Sequence, residues 1–137
     1  MKARRLSYLD EVREFFNGDR FATEAAGMEI VDARPDYAKV RMAVQPRHMN
    51  AAGYVMGGAI FTMADFAFAI ASNMGQKPTV SLSSSIEYVS STRGPVLFAE
   101  TECVKQGRAV CFFRINITDG SDRVVAVVET SGYRPNS

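Results

Sequence analysis

The 137-residue sequence has no tryptophan, a single histidine, His48, and two cysteines, Cys103 and Cys111. One imidazole and two thiols cannot assemble an ordinary structural zinc site, so no metal is expected, and no motif points to a cofactor. Net charge is scarce too. Sixteen Lys and Arg stand against fifteen Asp and Glu, and the formal charge of +1 leaves no footprint for a nucleic-acid partner. Missing as well are the GxSxG elbow, the P-loop and the Rossmann glycine fingerprint. The start, MKARRLSYLDEV, lacks the apolar core of a signal peptide; together with two cysteines in strand-like stretches, this predicts a reducing cytoplasm.

Long apolar runs are also few, and the one present organises the rest. From Tyr54 to Ala71, eighteen residues carry only Thr62, Asp65 and the Tyr54 hydroxyl as polar side-chain groups. The run is barely long enough to cross a membrane, and Asp65 near its centre would oppose insertion by about 2.5–3.5 kcal/mol. No membrane partner is expected. A carboxylate in apolar surroundings must find partners or surrender its charge, so Asp65 is expected to be perturbed. It is read either as a catalytic group or as a buried acid satisfied by a structural network. Helical spacing puts Gly58, Phe61, Asp65, Phe68 or Ala69, and Ser72 on one stripe. Gly57, Ala64, Ala67 and Ala71 form a second stripe, small enough for another backbone to approach.

Along the chain, residues 6–16 read as a short amphipathic helix with Ser7 and Asp10 near its start, stopped by Asn17-Gly18. Residues 28–46 read as two strands around a turn at Arg34-Pro35-Asp36. The loop RHMNAAGYVMGG then leads into the long helix, which Asn73-Met74-Gly75 closes. Four strands follow at about 79–90, 96–105, 109–118 and 123–132; their short connections favour an antiparallel meander. The prediction is one α+β domain over residues 1–137, with a sheet of about six strands wrapped around one long helix.

The chemistry that can be built centres on Asp65 as base or nucleophile, with Asn50 and the Gly57 amide donating to an oxyanion. The glycines around position 57 serve either that purpose or close packing alone. His48 orients a group in its loop or is a plain hydrogen-bonding residue. In the strand TVSLSSSIEYV, Ser81, Ser83, Ser85 and Glu87 share one face, which is either a solvent-facing or interface surface or catalytic. Eight residues separate Gly57 from Asp65, about 12 Å of helix, too far for both to serve one carbonyl. Two antiparallel helices across a two-fold axis bring Gly57 of one chain to Asp65 of the other, so a homodimer is expected.

At His48, Asn50, Gly53, Gly57, Gly58, Phe61, Ala64 and Asp65 the sequence fits H-x-N-x-x-G-x-x-H-G-G followed by F-x-x-A-D. It resembles the hotdog-fold thioesterases of the PaaI type, also described as the acyl-CoA thioesterase 13-like group. Gly107-Arg108, Thr130 and Tyr133 also fit, so the likeness spans most of the chain. It implies a hotdog fold, hydrolysis of acyl-CoA thioesters without a cofactor, and a dimer commonly paired again into a tetramer. Asp65 is then similar to the family's base or nucleophile, Gly57 to the residue whose N–H polarises the thioester carbonyl, and Asn50 to the residue supporting that oxygen or a bound water. Ser81 falls where a hydroxyl often places water, with Ser83 as the alternative. His48, Met56, Gly58, Phe61, Phe68 and Arg108 are the expected substrate contacts, the acyl chain lying beside Phe61, Phe66 or Phe68 and Arg93, Lys105 or Arg108 meeting coenzyme phosphates; otherwise the phenylalanines are plain core and the basic residues solvated. The departure is Met56, where the family usually has histidine. It keeps open a second reading, a non-catalytic module that binds acyl ligands; a dehydratase fits less well, since that chemistry usually joins an acid to a well-placed histidine.

Overall fold

In the computed structural model, which describes residues 6–73 and 78–135, helix α1 (Tyr8–Phe16) begins with a reciprocal cap. The Ser7 hydroxyl accepts the Asp10 N–H (3.1 Å), and the Asp10 carboxylate accepts the Ser7 N–H (3.4 Å). The buried face of α1 consists of Val12 and Phe16. The Phe16 ring meets Phe66 edge-on at 6.4 Å, and the Arg13 guanidinium donates to the Ile30 carbonyl. Between α1 and the first strand lies a π-helical turn (Phe21–Ala25). It buries Ala22 and leaves Phe21 71% exposed.

Strands β1 (Met28–Arg34) and β2 (Tyr37–Ala43) form the expected hairpin, with Asp36 at φ 63° in its turn. After a 3-10 turn (Pro46–His48) comes helix α2 (Gly57–Asn73), followed by β3 (Val80–Tyr88), β4 (Val96–Gln106), β5 (Val110–Asp119) and β6 (Val124–Tyr133). Met74 and Gly75, expected to close α2, lie outside the described residues.

All six strands join one antiparallel sheet in the order β1-β2-β4-β5-β6-β3. This corrects the expected four-strand meander. Only β4-β5-β6 runs as a meander; β3 pairs with β6 at the far edge, and β4 pairs with β2 instead. Short connections suggested neighbours, but α2 separates β2 from β3, so the sheet takes its two halves from either side of the helix. One sheet face, built from Val40, Met42, Leu97, Ala99, Phe113, Ile115, Ile117 and Val128, is closed over by α2. Ala64, Ala67 and Ala71 are buried with Ile60, Met63 and Ile70; their small side chains let the helix lie close on the sheet. The sheet and its long helix are those of an α+β hotdog. No helix among the described residues is long and apolar enough to cross a membrane.

The far edge is bare. Every residue of β3 except Ile86 is exposed, and Val80, Leu82, Tyr88 and Val89 each expose more than half their surface. A nine-residue strand with one unpaired edge and apolar side chains in water is a template for pairing with another chain.

Phe113 is 1% exposed and meets Phe68 edge-on at 5.6 Å, which ties the sheet to the helix. Phe113→Ala is expected to lower unfolding free energy by about 3–5 kcal/mol in urea titrations. A loss below about 1 kcal/mol would show that this contact is not part of the core.

Candidate active site

Asn50 is fixed by its own loop. Its side-chain oxygen accepts the N–H of Ala52 (3.0 Å) and of Tyr54 (3.1 Å), which assigns the amide orientation and turns the NH2 group outward as a donor. The Asn50 carbonyl accepts from Gly53, whose φ of 86° suits glycine. Two further bonds anchor the next residues: Val55 N–H donates to the Thr92 carbonyl and Met56 N–H to the His48 carbonyl. The Met56 carbonyl then accepts from Ala59 and Ile60, starting α2. Among the described residues, the Gly57 and Gly58 N–H groups have no backbone acceptor, as expected for a helix's first turn.

Tyr88, which sequence reasoning passed over, reaches this point from the end of β3. Its hydroxyl donates to the Gly57 carbonyl (3.0 Å), and a Cβ on Gly57 would stand 2.9 Å from that hydroxyl and 3.0 Å from the ring. Close packing thus demands glycine here, while the Gly57 N–H stays unengaged. The inward register of β3, with Tyr88 opposite the buried Ala126, was the signal that could have found it. Asn50, Tyr54, Gly57, Ile60, Tyr88 and Thr92 line a cleft of about 400 Å³, with the Arg93 guanidinium over the Tyr54 ring at 4.4 Å.

Asp65 is not in that cleft. It lies two turns further along α2, and in the protomer its side chain is exposed, which corrects the expectation of burial. The exposed stripe comprises Gly58, Asp65 and the partly exposed Phe61, Thr62 and Ala69. Of the alternatives Phe68 or Ala69, Ala69 takes the stripe position; Phe68 and Ser72 turn into the core, where the Ser72 hydroxyl donates to the Phe68 carbonyl (2.7 Å). Partial desolvation still raises the Asp65 carboxyl above its ordinary pKa, and the negative charge of Asp19 adds to the rise. Among the described residues the Asp65 carboxyl makes no hydrogen bond, so the structural network offered as its alternative is not formed within one protomer.

The β3 serines divide at an irregularity. Ser81 pairs with Gly132 but Ser83 with Ser131, so the register shifts between them. Gly132 and Thr130 are buried on the helix-facing side, which places Ser81 and Ser84 there; Ser84 shares a hydrogen bond with Thr130 (2.9 Å). Ser83 and Ser85 fall on the outer face beside Phe112 and Arg114. Ser83 therefore faces away from α2, and of the two candidates Ser81 has the helix-side position. Strict alternation hid this, because the extra residue reverses the parity of the strand.

Three expected substrate contacts lie outside the Asn50 cleft of the same protomer. His48 is buried, its Nδ1 accepting the Gln45 N–H (2.9 Å) and its Nε2 donating to the Ala26 carbonyl (2.8 Å). Both ring nitrogens are committed to structure. Phe68 is 2% exposed against Phe113. Arg108 is exposed in the β4–β5 turn, at the opposite end of the sheet from the Asn50 cleft. Met56 and Gly58 remain exposed at the start of α2, and Phe61 is partly buried. No group of three or more His, Cys, Asp or Glu among the described residues is placed to hold a metal.

The profile of the Thioesterase superfamily matches residues 52–126. A protein of Archaeoglobus fulgidus, provisionally named an esterase, is 30% identical over 135 residues, covering 98% of this chain and 88% of its own. The acyl-coenzyme A thioesterase PaaI of Escherichia coli is 27% identical over 112 residues, or 81% of this chain and 80% of that one. The structure of the E. coli PaaI protein superposes with a TM-score of 0.85 at 23% identity, covering 90% and 91% of the two chains, and thereby shows the same fold. A thioesterase protein of Streptococcus pneumoniae, solved with coenzyme A, gives a TM-score of 0.74 at 28% identity, covering 79% and 88%.

The raised Asp65 pKa fixes the sign of a stability effect. Below the unfolded-state value, about 3.9, the carboxyl is protonated in both states and carries no penalty; as pH rises through the higher folded value, the ionised form disfavours the fold. Asp65→Asn is expected to raise Tm at pH 7 and to leave it unchanged near pH 3 in thermal melts. A lower Tm at pH 7 would mean the carboxylate is stabilised rather than desolvated.

Proposed function

The chain belongs to the Thioesterase superfamily, as a hotdog protein of the PaaI type, and on that premise we propose that it hydrolyses acyl-CoA thioesters at a site shared by two protomers. The observation carrying this reading is a separation. Gly57 and Asp65 lie on one continuous helix, about 12 Å apart along its axis, so a carbonyl held by one is out of reach of the other. An antiparallel copy closes the gap. The surfaces such pairing needs are uncovered in the protomer: the β3 edge with Val80 and Leu82, and the α2 stripe carrying Asp65. Pairing also withdraws more water from Asp65, the influence that already raises its pKa in the protomer.

In this mechanism the thioester carbonyl lies at the start of one α2, where the Gly57 N–H and the Asn50 NH2 donate to its oxygen. Asp65 from the partner removes a proton from an attacking water that the partner's Ser81 hydroxyl helps to place. The new C–O bond forms as the carbonyl electrons move onto oxygen, and that oxyanion is held by the two donors. Collapse breaks the C–S bond, releases the carboxylic acid, and returns the proton to the thiolate. Direct attack by Asp65 reaches the same products through an anhydride that water then cleaves. A raised carboxylate pKa assists the first route, because it makes Asp65 a stronger base. Cys103 and Cys111 are free thiols, in keeping with the cytoplasm expected from the sequence. Pairing of dimers into a tetramer would draw on the outer sheet face, where Val104 and Phe112 are exposed. Met56, with no donor in place of the family's histidine, favours the second reading of a non-catalytic acyl-binding module.

Hydrolysis separates the two readings. Asp65→Asn is expected to reduce kcat on acyl-CoA substrates by about a hundredfold or more, with the fold intact by circular dichroism. Equal activity in the two proteins, or none in the native one across a broad acyl-CoA panel, would sink the enzyme reading. Shared sites predict a further result. Mixing refolded Asp65→Asn and Asn50→Ala protomers should restore about a quarter of native activity, since half the dimers are mixed and each then has one intact site. No recovery would place both groups in the same protomer's site.

A further inference from the structure

Resting on the thioesterase reading, this inference concerns the substrate's acyl group. Between the π-helical turn and the first two turns of α2 runs a groove of about 430 Å³, a volume typical of small-ligand sites. Phe21, Ala25, Met56, Gly58, Ala59 and Thr62 line it, with Arg47 and His48 also contributing. Thr62 and His48 have little polar capacity to offer a ligand, and Arg47 is the one charged group in the lining. The Thr62 hydroxyl donates to the Gly58 carbonyl (2.8 Å), both His48 ring nitrogens are engaged with Gln45 and Ala26, and the Arg47 guanidinium lies against Gly27. Apart from Arg47, what an entering group meets is mostly methyl, methylene and ring carbon.

Two large apolar side chains from separate elements are nevertheless held in water at this groove: Phe21 is 71% exposed and Met56 55%. Burying them under a ligand is favourable at about 25 cal/mol per Å² of apolar surface, and the unbranched Met56 thioether can adapt to what it covers. The groove also has the right neighbours. It begins at Gly58, beside the free amides of the α2 N-terminus, and reaches Thr62, three residues before Asp65 on the same exposed stripe.

We infer that this groove is the acyl subsite, selecting an apolar acyl chain that Phe21 and Met56 close over. Of Phe61, Phe66 and Phe68, offered as neighbours of the acyl chain, Phe66 and Phe68 are core residues at 3% and 2% exposure. The amide-bearing thiol arm belongs instead in the Asn50–Tyr88 cleft. There Ser90, Ser91 and Thr92 supply polar atoms that the groove lacks, and leaving an amide unpaired in an apolar groove would be unfavourable.

The test uses the full-length Asp65→Asn protein with non-hydrolysable acyl-thioether analogues of coenzyme A, so that affinity is read without turnover. Calorimetry is expected to show binding about three- to fourfold tighter per added methylene until the groove is full. Ala59→Phe, which plugs the groove, should remove that dependence while leaving the affinity of the acetyl analogue within about twofold. Phe21→Ala should weaken long chains about tenfold and spare acetyl. In the protein with native Asp65, Ala59→Phe should lower kcat/KM far more for long acyl-CoA substrates than for acetyl-CoA. Affinity independent of chain length, or a length dependence unchanged by both variants, overturns the inference, including the case in which a second copy of the chain covers the groove. Loss of the hydrolysis reading shows differently, as native activity retained in Asp65→Asn.

Discussion

A straight α-helix advances about 1.5 Å per residue, and this rise governs the organisation of the molecule. Helix α2 presents free amides at Gly57 and Gly58 and a carboxylate at Asp65, two turns on. Packing on the sheet fixes the helix's rotation: Ile60, Met63, Ala64, Ala67, Ile70 and Ala71 face inward. With that face committed, Asp65 must point away from the sheet, and it cannot move toward Gly57 without unwinding the helix. The same α-helix that supplies both groups therefore keeps them apart, which makes a second α2 the natural completion of the centre.

Much of this was legible in the sequence. The capping pair Ser7 and Asp10, the turn at Pro35-Asp36, and α2 beginning at Gly57 all rest on short-range rules of hydrogen bonding and backbone freedom, which act the same way in any fold. What was misread depends on long-range pairing. Strand β3 lies beside β6 because α2 carries the chain from one half of the sheet to the other, a fact that the spacing of turns cannot encode. The Ser81–Ser83 irregularity likewise has no local signature, yet it decides which hydroxyl faces the helix.

The misreading of Asp65 is instructive in a different way. The apolar run suggests burial around Asp65, whereas within one protomer the sheet covers only part of α2 and leaves Gly58, Phe61, Thr62, Asp65 and Ala69 wholly or partly open. Apolar residues without a partner in the same chain are better read as surface reserved for another molecule. The exposed apolar residues of β3, with Phe21 and Met56, obey the same logic: the chain holds more greasy surface than its own core can use.

Met56 brings these points together. Its backbone does what any residue there would do, accepting the N–H groups of Ala59 and Ile60 to open the helix, so the departure from histidine affects only the side chain. A histidine would add a titrating donor beside the first amides, whereas methionine adds a flexible apolar arm over the Phe21 groove. Stabilisation of an oxyanion then falls to the Gly57 N–H and the Asn50 amide, neither of which changes charge with pH. Asp65 is left as the titrating side chain of the proposed centre, with His48 held in its loop by Gln45 and Ala26. In the proposed centre the substitution exchanges polar help at the carbonyl for apolar contact with the acyl group. It shifts the burden of recognition toward the part of the substrate that does not react, where binding energy contributes to rate only insofar as it holds the carbonyl against its donors.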